Sequence, residues 1–245
     1  MKIIILLSFL FASQLFSAEN ARRILIVGDS HTAQSYGTMI HAHFSYDGNV
    51  VATYGSCGSS PLGWFSDAPW AMTKCGHFEA HPSGKAMRAT EMKTPSFVAL
   101  LKNMSKEFTT PTAPEVVVIG LGANQINSLD TDAMFNSQKA TVVKMVEAAR
   151  EANVRCFWVG PPDGDFKKKP KEKQDRLYQM LLAAMADTAQ YCTFISSRAD
   201  QVPGGMEYPC DTDGVHFDSC SEGKIKAAHW ARYIYERVVK GLKTE

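Results

Sequence analysis

Ser30, Asn124, Asp213 and His216 are the residues of this 245-residue chain whose types suit acyl transfer. A serine that cleaves an ester needs a base to take its proton, a group that holds the base in one tautomer, and donors aimed at the developing oxyanion. Ser30 closes the triplet Gly28-Asp29-Ser30, Asn124 closes Gly122-Ala123-Asn124, and His216 closes Asp213-Gly214-Val215-His216. His216 would be the base. Asp213 can reach back to its other ring nitrogen from within the same loop. The Ser30 N–H, at a strand-to-helix turn, faces a site favourable to negative charge. The N–H of a glycine in the turn Gly55-Ser56-Cys57-Gly58 and the Asn124 amide would add two donors, each worth ~10²–10³-fold in rate.

Taken singly these motifs are weak. Gly-Asp-Ser is a common turn and helix cap, Gly and Asn punctuate many loops, and Asp-x-x-His is an ordinary surface turn. Their weight comes from the elements that precede them. The run 23–28 reads as a buried strand, 50–54 as a second, 115–122 as a third with no polar alternation, 154–159 as a fourth and 193–197 as a last. Helices are expected over 31–44, 96–108, 131–152, 171–190 and 221–240. Strands alternating with helices imply right-handed crossovers and a parallel sheet covered on both faces. The candidate residues then all lie in loops at one edge, the carboxyl ends of the strands, where such sheets gather reactive groups.

The stretch 62–94 has no clear period and reads as a long functional loop. Its Trp64, Phe65 and Trp70 could stack on a sugar or pack on the core. No metal site is expected. His41 and His43 lie two apart on a helix and do not share a face. Cys75, His77 and His81 have ligand-like spacing, but a disulfide at Cys75 would exclude it. The basic run Lys167 to Lys173 reads as a solvated loop.

Hydrophobic residues make up 45% and charged residues 21% of the chain, an ordinary globular balance that excludes disorder. The apolar run beginning at Ile3 reads as a secretory signal over residues 1–18, leaving one domain over 19–245. Beyond it nothing approaches a transmembrane span, so no stable membrane insertion is expected. Without Lys2 the formal charge falls from +1 to zero, which implies no nucleic-acid partner. Six cysteines in an exported chain favour disulfides, and proximity suggests Cys57 with Cys75 and Cys210 with Cys220, leaving Cys156 with Cys192. A secreted or periplasmic location follows.

In order, and nearly spanning the mature chain, Gly28-Asp29-Ser30, Gly55 to Gly58, Gly122-Ala123-Asn124 and Asp213-Gly214-Val215-His216 resemble the four sequence blocks of SGNH (GDSL-like) hydrolases. The resemblance implies an α/β fold, a three-layer α/β/α sandwich with a flavodoxin-like parallel sheet. It implies Ser30, Asp213 and His216 as the catalytic triad, an oxyanion hole of Ser30, Gly58 in preference to Gly55, and Asn124, and no cofactor. Two positions depart from the pattern: Gln125 follows Asn124 where Asp is common, and His31 follows Ser30 where Leu or Ile is common. The GDSH start, with Cys57 and Pro61-Leu62, looks more like members that act on acylated glycans than like the lipolytic ones. The expected activity is hydrolysis of a small-molecule or glycan ester, above all O-acetyl groups on polysaccharide. The alternatives are a lipase or thioesterase, a glycan O-acyltransferase with the same residues, and a glycan-binding protein without turnover.

Overall fold

The computed structural model describes residues 21–66, 71–73 and 75–244; the expected signal segment and Trp70 lie outside them. The apolar runs form the strands β1 (Arg23–Gly28), β2 (Val50–Ser56), β7 (Val116–Gly120), β8 (Arg155–Val159) and β9 (Cys192–Ile195). These five pair in parallel in the order β2-β1-β7-β8-β9. Strand order reverses between β1 and β7, which makes the carboxyl ends of those two strands the natural place for a crevice.

Successive side chains on a strand point to opposite faces, so each strand feeds two cores. Leu25, Val27, Val117, Ile119 and Trp158 pack under the helices α2 (Phe97–Lys102), α3 (Asp132–Glu151) and α4 (Lys171–Asp187). Ile24, Ile26, Val116, Val118 and Phe157 pack under α1 (Ser35–Tyr46) and α5 (Ser221–Leu242). Burying one such aliphatic side chain contributes roughly 1.5–3 kcal/mol. That double coverage explains why the strands read as unbroken apolar runs.

The sheet is not wholly parallel. Within the stretch expected to be one long loop, β4 (His77–Ala80) and β5 (Ala86–Ala89) form an antiparallel hairpin that extends the sheet beyond β2, and the short strands β3 (Met72–Thr73) and β6 (Met92–Lys93) pair beside it. β4 is fully buried although it carries His77 and Glu79. Its carboxylate is satisfied by its neighbours, while His77 Nδ1 has no hydrogen-bond partner among the described residues. Glu79 accepts from His77 Nε2 at 3.1 Å, His81 Nε2 at 3.3 Å and Lys106 Nζ at 2.9 Å. Burial alone would raise the Glu79 carboxyl, but the bonds from His77 and Lys106 outweigh it and bring it down to about 2.

Two helices differ from expectation by more than three residues. α1 begins at Ser35 rather than His31, because residues 29–34 are taken up by a tight turn in which the Ala33 N–H bonds Asp29 O at 2.9 Å. α2 stops at Lys102 because Asn103 is extended and the chain folds back, Met104 N–H donating to Thr112 O at 2.9 Å.

Disulfides join Cys57 to Cys75, Cys156 to Cys192 and Cys210 to Cys220, the pairing that proximity suggested. They suit an oxidising compartment. Cys75 is therefore no metal ligand. Among the described residues no helix is long and apolar enough to cross a membrane.

Candidate active site

Ser30 lies two residues beyond the end of β1. The Asp29 N–H bonds Gly120 O of β7 at 3.2 Å, and the His31 N–H bonds Asp29 Oδ1 at 3.1 Å, which fixes the turn on either side of Ser30. The turn sits low on the sheet. A Cβ on Gly28 would stand 2.0 Å from Thr32 Oγ1, and one on Gly55 2.3 Å from the Ala33 nitrogen. Glycine at both positions lets the chain settle there. Burial pushes the Asp29 carboxyl up to about 7 and the His31 imidazole down to about 3, so His31 is neutral at ordinary pH.

Asp213 and His216 share a loop closed by the Cys210–Cys220 disulfide. Asp213 Oδ1 accepts from the N–H groups of Val215 and His216, each at 2.9 Å, and its Oδ2 accepts from His216 Nδ1. Burial pushes the Asp213 carboxyl up, but these three donors prevail and hold it well below the usual carboxylate range. An ionised carboxylate only accepts, so Nδ1 carries the proton and Nε2 is left as the basic nitrogen. Gly214 has φ +80°, and its carbonyl accepts from Asp165 N–H at 2.9 Å, which ties this loop to the one after β8. The His216 ring lies 5.9 Å, centroid to centroid, from that of His31, the residue after Ser30.

The third part of the site comes from the turn after β2 and the turn after β7. Gly58 has φ +79° and follows Cys57, which is bridged to Cys75. Asn124 Nδ2 donates to Ser59 O at 2.9 Å, and Trp64 Nε1 donates to Ser59 Oγ at 3.2 Å. The structure thus brings Asn124 onto the Gly58 turn, Asp213 onto His216, and the His216 ring beside the Ser30 turn. Among the described residues the N–H groups of Ser30 and Gly58 make no hydrogen bond to protein. Trp64 is fully buried, so it anchors this turn from within the core and offers no face to a sugar.

A narrow cleft of about 30 Å³ opens beside the Ser30 turn, lined by His31, Ile126, Pro161, Leu177, Tyr178 and Val215. A wider hollow of about 570 Å³ lies against Gly58, Ser59, Met72 and Thr73.

No protein-family model matches the chain. It is 25% identical over 199 residues to Protein BcsX of Komagataeibacter xylinus, covering 79% of this chain and 69% of that protein. Among solved structures, the acetyl xylan esterase AlAXEase superposes with a TM-score of 0.55 at 14% identity, over 88% of this chain and 99% of that one. A Slackia heliotrinireducens protein assigned to the SGNH hydrolases gives 0.53 at 17% identity, over 88% and 100% of the two chains. The lipase/acylhydrolase of Enterococcus faecalis gives 0.51 at 19% identity, over 88% and 96%. The chain has the fold of the SGNH hydrolases.

Several residues that support this site are silent in the sequence. Asp218 Oδ2 accepts from Ser35 N–H at 2.9 Å and Ser35 Oγ at 2.7 Å, joining the His216 loop to the start of α1. Tyr208 OH donates to Asp213 Oδ1 at 3.2 Å. Gln174 holds the loop after β8 by accepting from Gly164 N–H at 3.0 Å and donating to Lys169 O at 2.6 Å. Each pairing spans a loop or two distant segments, and only the nearness of Asp218 to His216 hinted at any of them. His41 and His43 have separate neighbours, Thr53 and Tyr235.

Proposed function

We propose that this chain is a secreted or periplasmic serine esterase that removes O-acetyl groups from cell-wall or extracellular polysaccharide. Ser30 Oγ attacks the ester carbonyl while His216 Nε2 takes its proton. The carbonyl electrons move onto oxygen, and the N–H groups of Ser30 and Gly58 with the Asn124 amide receive the oxyanion. Collapse breaks the C–O bond, and the imidazolium gives its proton to the leaving alcohol. Water, deprotonated by the same imidazole, then releases acetate from Ser30. Asp213 orients the imidazole throughout.

The observation that carries the reading is the Asp213–His216 pair set against the Ser30 turn, together with Asn124 fastened to the Gly58 turn. The likeness in fold to an acetyl xylan esterase supports the acetyl ester.

Rates on p-nitrophenyl acetate, a long-chain p-nitrophenyl ester and O-acetylated xylan test the proposal. Wild type is expected to prefer the acetyl esters. Ser30→Ala is expected to lose at least ~10³-fold in kcat and all labelling by a fluorophosphonate probe. Full activity of Ser30→Ala removes the assignment, and a strong preference for the long chain removes the glycan ester.

A further inference from the structure

His31 is the departure from the family pattern nearest to the nucleophile, and the structure gives it a place that packing alone does not explain. Its ring is only 5% exposed and sits among other rings, with centroids 5.4 Å from Trp230, 6.1 Å from Phe217 and 5.9 Å from His216. The remaining side borders the narrow cleft. Among the described residues neither ring nitrogen hydrogen-bonds to protein. A leucine would fill the same apolar surroundings without the two polar ring atoms of an imidazole.

We propose that His31 recognises a free hydroxyl next to the esterified oxygen of a sugar, holding the alcohol part of the substrate in the cleft. This rests on the esterase reading above. In that reaction His216 delivers its proton to the leaving alcohol, so the alcohol lies on the His216 side, where His31 borders the cleft. Neutral imidazole offers one donor and one acceptor. A hydroxyl can meet either, and an alkyl chain meets neither, leaving a buried polar atom unpaired. The neutrality of His31 follows from its burial, so the contact persists across the pH range in which an esterase works. The cleft, at about 30 Å³, suits one hydroxyl of a ring whose bulk stays outside.

The test uses two acetyl esters of one methyl xyloside, the first with the neighbouring hydroxyl free and the second with it O-methylated. Wild type is expected to prefer the free hydroxyl by about tenfold in kcat/KM. His31→Phe keeps a ring among Trp230, Phe217 and His216 and is expected to bring the preference close to one. His31→Gln, which retains a donor and an acceptor, is expected to keep part of it. Because the readout is a ratio within each variant, a general loss of activity does not mimic the effect. Wild type without the preference, or His31→Phe with the wild-type preference, overturns the inference and leaves the esterase reading standing. Full activity of Ser30→Ala overturns both.

Discussion

Asp29 stands beside Ser30, the proposed nucleophile, and serves the fold of the turn. Its carboxyl is 1% exposed, accepts the His31 N–H, and is pushed by burial from 3.8 to about 7. A carboxyl whose folded pKa exceeds its unfolded one binds more protons when folded. The contribution of Asp29 to stability should therefore fall as pH rises from about 4 through about 7, by on the order of a few kcal/mol, and then level off, while that of the buried His31 imidazole rises over the same range. Asp29→Asn keeps an oxygen to accept the His31 N–H and has no proton to lose. Its melting temperature minus that of wild type is expected to widen between pH 5 and pH 8 and to stay flat above. A difference independent of pH would show that Asp29 does not titrate in this window.

At the scale of elements, the Ser30 turn and the His216 loop are held in register by Asp218. Gln34, the residue before α1, provides no side-chain cap, and the Asp218 carboxylate takes that part from across the molecule by accepting Ser35 N–H and Oγ. Asp218→Ala is expected to cost about 1 kcal/mol in urea denaturation, as for loss of a cap. It should also lower kcat on p-nitrophenyl acetate by ~10-fold or more with a smaller change in KM, since the proposed nucleophile and base lose their common tether. Loss of stability with kcat intact would make Asp218 a helix cap only. The same pairing illustrates which parts of the chain were legible. Strands covered on both faces announce themselves, as Val116 to Ile119 do, and a motif such as Asp213 to His216 carries its own geometry within one loop. β4 was hidden because His77 and Glu79 read as polar until Lys106 and His81 close the network around them. α2 was overextended because the fold-back of Asn103 onto Thr112 depends on a partner nine residues away. Asp218 with Ser35 lies 183 residues apart, beyond any local pattern.

Over the whole molecule the three disulfides divide by what they brace. Cys156 and Cys192 are opposite one another on β8 and β9, at 0% and 1% exposure. Cys57–Cys75 and Cys210–Cys220 instead clamp the two loops that carry Gly58 and the Asp213–His216 pair. Cys75 is exposed, so a thiolate reaches that bridge without unfolding the sheet. Mild dithiothreitol is therefore expected to open Cys57–Cys75 first, with far-ultraviolet circular dichroism unchanged. Activity should fall in step with that cleavage, because the Gly58 N–H loses its fixed position as the proposed oxyanion donor. Cys156–Cys192 should yield only with added denaturant. Timed alkylation and peptide mass spectrometry, read beside residual p-nitrophenyl acetate hydrolysis, give the order directly. If hydrolysis persists after Cys57–Cys75 has opened, the bridge does not hold the oxyanion donor. If hydrolysis and secondary structure vanish together, site and sheet unfold as one unit and the division between them fails.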